Sequence, residues 1–529
     1  MNKSIYLINP AADFPTYYGA EVYAGRGYAP AVFLSDLVLP TLAAMIPSDW
    51  HVVLCDEHLE AVDYDTDCAF IGITGKISQW NRSKAIAAEF RRRGKTVIIG
   101  GPHASLSPEH VRPHCDVLVR DEIEEIVGEI FGDLASGDFK SEYVGGRPDL
   151  SLTPVPRWDL YNRYNDRVLT ATVQTARGCP FECEFCDVIQ YVGRQQRQKP
   201  IDKIIAELDA IYDNGYRSVL FADDNTTANK SWVKEMLAAV RDWNGSRPDG
   251  RVALSTQLSI DAARDDELLA LAASAGMTHV FIGIETVNEA SLVATRKNQN
   301  LQKHLKNSKV ENPTLVDQVD RFFAHGIGVT AGMICGFDHD DHTIFQQQLD
   351  FAMASGIPVL TLSALAAPHA TPLHERLGEE GRLLDGYEIP GHPWNTNMTP
   401  AMMSRAQLTE GIRWLANELY HPANFGARIV KYIDRLKFQD PAVAKQHKRS
   451  TMRSVDRDTL SLISDIPKLD SESAKMWKQV TALLPKNPGA TVPIMEALIR
   501  YQQLRYMYET GHFWDTPMAR PEVSQAAAG

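Results

Sequence analysis

Over residues 1–140, short apolar runs of strand length alternate with stretches whose apolar positions recur every three or four residues. Ser4–Ile8, Val52–Cys55, Cys68–Thr74, Thr96–Ile99 and Asp116–Val119 are expected strands. Phe33–Met45 and Ser78–Arg93 are expected helices, and Asp121-Glu122-Ile123-Glu124 reads as an acidic helix start. This β/α alternation predicts a doubly wound, mostly parallel sheet that takes ligands at the carboxyl ends of its strands.

Gly145–Arg157, rich in glycine and proline, reads as a linker. A second series follows, with strands expected at Val168–Gln174, Ser218–Ala222, Val252–Gln257, His279–Glu285, Gly328–Cys335 and Val359–Leu365. Six strands with helical crossovers predict a partial (β/α)6 barrel whose chemistry sits at the strands' C-terminal ends. Residues 292–313 are a Lys/Asn/Gln-rich insertion, expected to be a solvated loop. Beyond residue 380 helical periodicity dominates, in Met403–Tyr420, Asn424–Leu436, Ser471–Leu484 and Val492–Tyr508. The expected organisation is α/β throughout the first two parts: residues 1–144 a doubly wound domain, 145–165 a linker, 166–380 a partial barrel, 381–520 a mainly helical domain and 521–529 a frayed tail.

Composition narrows the function. The chain has 529 residues, 44% of them hydrophobic, enough for about three domains. A net charge of −13 disfavours general nucleic-acid binding. MNKSIYLINP is too short and polar for a signal peptide, and no apolar run is long enough to span a bilayer. The cytoplasm is therefore the expected location, with peripheral membrane contact left open. Seven cysteines suit no disulfide framework, and Cys55, Cys68, Cys115 and Cys335 stand singly in apolar surroundings, as buried thiols of a reducing compartment do.

The other three are clustered in Arg177-Gly178-Cys179-Pro180-Phe181-Glu182-Cys183-Glu184-Phe185-Cys186, a C-x3-C-x2-C spacing in the loop after the first strand of the second series. Three thiolates so placed can hold three irons of a [4Fe-4S] cluster, which otherwise takes four cysteines. A structural zinc wants four ligands, commonly in two pairs, and a disulfide cannot use three cysteines evenly. One iron is then open to something other than protein.

This stretch resembles the signature of the radical S-adenosylmethionine (SAM) superfamily, and the resemblance implies that the open iron chelates the amine and carboxylate of SAM. With Cys179, Cys183 and Cys186 as cluster ligands, the implied SAM contacts are Phe185 in the loop, Asp223 and Asp224 after the second strand, Ser255 and Gln257 on the third, and Gly283 and Glu285 on the fourth. Asp224 or Asn225 can equally be a helix N-cap. Gly332–Asp338 and Pro368–Leu373 fall where such cores carry glycine- and proline-marked turns, but His369-Ala370 stand where glycine is usual. The first series is similar to the cobalamin-binding domain of the class B, methylating branch, through Ile71-Gly72-Ile73-Thr74-Gly75, Gly100-Gly101-Pro102-His103 and Arg120-Asp121-Glu122. The implied cobalamin contacts are Thr74, Gly75, Lys76, Gly100, Gly101, Pro102, His103 and Glu122, glycines at strand ends letting a corrin approach the backbone.

Asp56-Glu57-His58 imitates the D-x-H of cobalamin mutases but lacks the following glycine and follows the second strand, so His58 is read as a surface histidine and cobalamin as bound without a histidine ligand. Pro156–Leu160, Asp187–Lys199 and Asn397–Tyr420 resemble the hopanoid C-methylase group, a likeness spanning most of residues 1–435. It implies methylation of an unactivated carbon through a 5′-deoxyadenosyl radical and methylcobalamin, with two SAM molecules per turnover, an electron donor such as flavodoxin or ferredoxin, and a small-molecule or lipid substrate. A non-methylating rearrangement or oxidation, a cobalamin-sensing regulator and an iron–sulfur electron carrier are the alternatives. The last two suit a tri-cysteine loop poorly. Cys335 is expected to be a buried strand cysteine rather than a hydrogen donor.

Overall fold

In the computed structural model, residues 2–301, 313–384, 392–437 and 452–515 are described. Half of the polar insertion (302–312) and the tail lie outside them.

Two parallel sheets organise the chain. The first is six-stranded, in the order β3-β1-β4-β5-β6-β7: β1 Ser4–Asn9, β3 His51–Asp56, β4 Phe70–Thr74, β5 Thr96–Gly100, β6 Val117–Arg120 and β7 Glu142–Val144. Winding reverses between β1 and β4, so the ligand crevice of a doubly wound sheet opens beyond Asn9 and Thr74. β7 falls in a stretch with no strand signal of its own and pairs with β6 as a short edge.

The second sheet runs β15-β14-β13-β12-β11-β8-β2. Six of its strands come from the second series in simple succession: β8 Val168–Val173, β11 Ser218–Phe221, β12 Ala253–Leu258, β13 Met277–Glu285, β14 Gly328–Cys335 and β15 Val359–Ala364. β9 (Ala176–Arg177) and β10 (Arg197–Gln198) form a separate ribbon flanking the cysteine loop. The seventh strand, β2 (Val32–Leu34), comes from far upstream and pairs with β8 at Val168 and Thr170. The helix expected over Phe33–Met45 is therefore cut short: Val32–Leu34 is strand and the helix is Val38–Met45. Three residues carry too little periodicity to signal a strand whose partner lies more than a hundred positions away.

Alternation along this sheet builds a hollow. Val219, Leu254, Val280, Ile282, Val329, Ala331, Leu360 and Leu362 are buried against the surrounding helices. The opposite, concave face carries Thr170, Ser218, Ser255, Gln257, His279, Phe281, Gly283, Thr330, Thr361 and Ser363, each retaining accessible surface. Small polar side chains cannot fill a barrel interior as branched aliphatics do, so a chamber remains.

The edge strand β15 presents backbone groups that need partners. Two tyrosine hydroxyls supply them. Tyr420 accepts from Leu360 N at 3.0 Å and donates to Leu360 O at 2.5 Å; Tyr17 accepts from Leu362 N at 3.0 Å and donates to Leu362 O. Tyr17→Phe strands both groups of Leu362, an expected loss of about 2 kcal/mol. The thermal midpoint and the amide exchange rate of Leu362 check it.

The helices Arg405–Tyr420, Pro422–Arg435, Ser471–Thr481 and Thr491–Thr510 follow the expected segments, and Ser454–Ser464 adds one more. The helix Thr491–Thr510 touches both ends of the open sheet: Arg500 lies over Phe33 of β2, and Tyr508 bonds Tyr17 at 3.0 Å beside β15. Gln503 fastens it to residues 16–22, accepting from Val22 N and donating to Thr16 O.

Candidate active site

The cysteine loop is held from four sides. Asp224, just past β11, accepts from Gly178 N at 2.9 Å. Glu184 N donates to Thr295 O beyond β13, and Leu373 N, beyond β15, donates to Glu184 O. Arg376 grips the Glu184 carboxylate through two nitrogens, at 2.6 and 3.1 Å. Gly178 adopts φ +95°, and a Cβ there would lie 2.5 Å from the Gln195 carbonyl, so the turn into the first cysteine requires glycine.

Cys183 is buried, while Cys179 and Cys186 keep some exposure. Burial raises the pKa of the Cys179 thiol, and the Cys183 and Asp224 charges add to it. Gln299 donates to Cys183 Sγ at 3.4 Å, while its own Oε1 is buried without a partner. Among the described residues no three His, Cys, Asp or Glu side chains converge on a single metal ion. Neighbouring thiols that do not meet at a point, with an unmatched amide beside them, fit a body larger than one ion. The donor set therefore suits a cluster.

Of the expected SAM contacts, Ser255, Gln257, Gly283 and Glu285 share the concave face, and Gln257 Nε2 reaches Asp224 O at 3.3 Å. Phe185 packs edge-on to Phe337, 5.7 Å between ring centres. Asp223 is differently employed. It is 4% exposed and accepts from Thr175 N, Ala176 N and the hydroxyls of Thr175 and Thr226. Its carboxylate braces the start of the cysteine loop from within, so it is not free for an ammonium group.

Glu285 ends β13 at φ +64°, where the register with β14 slips. That conformation is costly for a residue with a side chain. Asn300 secures it by donating to Gly283 O at 2.9 Å and Ile284 O at 2.8 Å, and Lys297 pairs with the Glu285 carboxylate at 2.8 Å. Burial disfavours the Lys297 charge, but Glu285 and the nearby thiols outweigh it and raise its pKa. Lys297–Asn300 belong to the stretch expected to be a solvated loop; Gln299 and Asn300 are buried against the site. Polar residues read as solvent-facing because nothing local shows that their partners are backbone carbonyls of a distant strand end. Ala370 resolves the departure at the Pro368–Leu373 turn: it takes φ +64°, the left-handed conformation a glycine would hold, at a cost of about 1 kcal/mol. Cys335 is 0% exposed in the helix-facing core, and burial lifts its thiol pKa well above the ordinary value.

On the first sheet, Thr74 and Gly75 end β4 at the switch point, Lys76 is exposed beside them, and Gly100, Gly101, Pro102 and His103 leave β5. Gly101 has φ +99°, and a Cβ would sit 2.9 Å from Thr74 Oγ1 and 3.1 Å from Gly75 N. His103 stacks at a tilt on Trp80, 4.8 Å between ring centres, with Nε2 buried and unmatched. Burial, then His110 and His369, hold its pKa down at about 4, so it is neutral near pH 7. A glycine-lined crevice with an unmatched ring nitrogen and an exposed lysine fits a large cofactor with amide side chains. Gly101→Ala is expected to weaken cobalamin binding at least tenfold while leaving the iron content of the reconstituted protein unchanged; an absorption titration and an iron assay check it.

His58 is engaged at both ring nitrogens, Nδ1 with Asp56 at 3.0 Å and Nε2 accepting from Ala12 N at 3.3 Å. Glu122 and Glu124, expected to open a helix, do not: the helix starts at Val127. Their carboxylates meet Arg177 Nη1 at 2.6 and 2.7 Å, and Glu122 also pairs with Arg197. Both Glu122 oxygens are thus taken up by arginines flanking the cysteine loop. The two sheets also meet where His110 packs edge-on to His369, 5.1 Å apart.

The radical SAM superfamily model matches residues 173–346, and a domain of unknown function, DUF4070, matches residues 371–512. An uncharacterized methyltransferase of Synechocystis sp., sll1242, is 35% identical over 376 residues, covering 70% of this chain and 67% of that protein. The hopanoid C-2 methylase of Rhodopseudomonas palustris is 29% identical over 364 residues, covering 67% of this chain and 66% of its own. The chain thus spans about two thirds of the length of these relatives. Among solved structures, the radical S-adenosylmethionine methyltransferase TsrM from Kitasatospora setae, with cobalamin and a [4Fe-4S] cluster bound, shares the fold: TM-score 0.60 over 97% of this chain and 100% of that one, at 14% identity. The chain belongs to the radical SAM superfamily, among its methyltransferases. It is an enzyme with a radical SAM domain, and it shares its fold with a neighbour that binds cobalamin and a [4Fe-4S] cluster.

Proposed function

We propose that this enzyme methylates an unactivated carbon of a small, ring-containing natural product held in the concave chamber. The observation that carries the reading is the hollow, polar inner face of the second sheet, with the cysteine loop at its C-terminal end and the glycine crevice of the first sheet joined to it through Glu122, Arg177 and the His110–His369 contact. When bound, the cluster and SAM supply a hydrogen-abstracting radical and cobalamin a transferable methyl group.

The chain's own residues position and exclude. Cys179, Cys183 and Cys186 hold the cluster. Ser255, Gln257, Gly283 and Glu285 line the SAM site, with Lys297 pairing the Glu285 carboxylate and Asn300 holding its backbone. Phe185 packs behind the loop. Thr74, Gly75, Lys76, Gly100, Gly101, Pro102 and His103 receive cobalamin, and His58, bound on both sides, stays out of its coordination. The helix Thr491–Thr510 shuts the lateral opening of the half-barrel and keeps water from the reacting carbon.

The hopanoid substrate of one relative supports a polycyclic molecule here. A low-potential flavodoxin or ferredoxin is the proposed reductant. Among the described residues no helix is long and apolar enough to cross a membrane. The free state of all seven cysteines supports a cytoplasmic site, with substrate taken from solution or from the membrane surface. The test is product analysis after turnover with methyl-deuterated SAM under anaerobic conditions. A product carrying the deuterated methyl group is expected. Deoxyadenosine formed in step with an unmethylated product overturns the methylation reading.

A further inference from the structure

The helix Thr491–Thr510 is buried along most of its length, through Ile494, Leu498, Tyr501, Leu504 and Tyr508 among others. A helix so placed ordinarily excludes unmatched charge. Yet it carries Glu496 and Arg500, one turn apart. Among the described residues no ion pair within 4 Å involves either, and Arg500 Nη1 is buried without a hydrogen-bond partner. The Arg500 guanidinium rests instead on two rings, 4.0 Å from the centre of Phe33 and 5.7 Å from that of Tyr18.

The surroundings lie along the concave face of the second sheet. Glu496 keeps an exposed side chain, but burial still raises its carboxyl to about 7. Tyr18 is 42% exposed although it packs edge-on to Phe281, 5.9 Å between centres. Both side chains present accessible surface on that face. Its residues run from Arg500 to the cysteine loop. Tyr18 meets Phe281, and a Cβ on Gly332 would lie 3.0 Å from Phe281 Cζ and 3.8 Å from Glu285 Oε2. Glu285 pairs with Lys297, and Gln299, two residues on, donates to Cys183. The groups facing Arg500 are Tyr18, Tyr23, Phe33, His279 and Glu496, and Tyr432 faces Glu496. Among the described residues none of them forms an ion pair with Arg500 within 4 Å or accepts a hydrogen bond from its Nη1.

We propose that Arg500 anchors the substrate, and that the substrate is a ring-containing carboxylate: its anionic group seats on Arg500, its apolar body lies along Tyr18 and Phe281, and its reacting carbon points toward Glu285. A planar guanidinium with a free nitrogen matches a carboxylate in a way no neutral group does. A bare hydrocarbon in the same space would leave that nitrogen unmatched, and sites built to hydrogen-bond reject analogues that cannot. The assignment rests on the concave chamber being the reaction site.

The test uses full-length, anaerobically reconstituted protein and two probes of one shape, 2-naphthylacetate and 2-naphthylacetamide, with affinities from calorimetry. The acid is expected to bind at least tenfold tighter than the amide. Arg500→Gln should abolish that preference while leaving amide affinity unchanged, and Arg500→Lys should keep part of it. A second measurement needs no variant: the acid, and not the amide, should protect Arg500 from phenylglyoxal, read by peptide mass spectrometry. Equal affinities, no binding of either probe, a preference that survives Arg500→Gln, or unprotected Arg500 each overturns the proposal. Deoxyadenosine formation by the wild type reports separately on the chamber, so the two readings fail by different signs.

Discussion

Cys183→Ala abolishes deoxyadenosine formation from SAM, to the level of a no-enzyme control. Cys183 is the most deeply buried thiol of the three and the one that Gln299 addresses. Without it a cluster is held by two thiolates in a loop that has no spare ligand: among the described residues, Cys55, Cys68, Cys115 and Cys335 are buried within the sheets' cores or at their margins. Iron and sulfide content of the anaerobically reconstituted variant should fall with the activity. Cobalamin binding should survive, because the crevice after β4 and β5 does not involve the cysteine loop's thiols. Cys335→Ala is the matched control and should retain deoxyadenosine formation, since Cys335 faces the helices and not the chamber. Wild-type rates of SAM cleavage by the Cys183 variant would refute the cluster assignment.

Glu122→Ala is expected to remove about 3 kcal/mol of stability and to reduce cluster retention at the same time. Its carboxylate meets Arg177 and Arg197, all three side chains being at most 13% exposed. Removing it leaves the buried Arg197 guanidinium without its carboxylate and Arg177 with Glu124 alone, which costs far more than an exposed pair is worth. Arg177 is two residues from Cys179, and Arg197 sits in the ribbon strand opposite it, so the disturbance travels into the loop. Glu122→Gln, which keeps hydrogen bonds but not charge, should fall between. The readouts are the thermal midpoint and iron per chain. An unchanged midpoint with loss of cobalamin binding alone would return Glu122 to the role of a corrin contact.

How much of this was legible along the chain differs by the kind of signal. Strands of both sheets announced themselves because a buried parallel strand is a short run of branched apolar residues, and the structure places them within a residue or two of expectation. The cysteine spacing and the glycines at strand ends were equally plain, since few residues can do those tasks. Other features were illegible for a shared reason. Glu122 and Glu124 have the look of a helix start, yet their partners lie at positions 177 and 197. Lys297, Gln299 and Asn300 look solvated, yet each bonds a partner across the site. Val32–Leu34 has no local pattern at all and becomes a strand because β8 has a free edge. Arg500 is one of several polar residues of its helix, and its environment exists only when residues 18 and 33 have been brought against it.

Periodicity and residue chemistry, both local, were enough to determine two β/α series, a helical end, and a tri-thiolate loop with room for a fourth, non-protein ligand. The tertiary structure decided which polar groups are spent holding the site together, as Asp223 and Glu122 are, and which stand unmatched in the chamber, as Arg500 does. That division follows from electrostatics: the worth of a charge depends on its partner and on the water around it, and neither is written in the residues next to it.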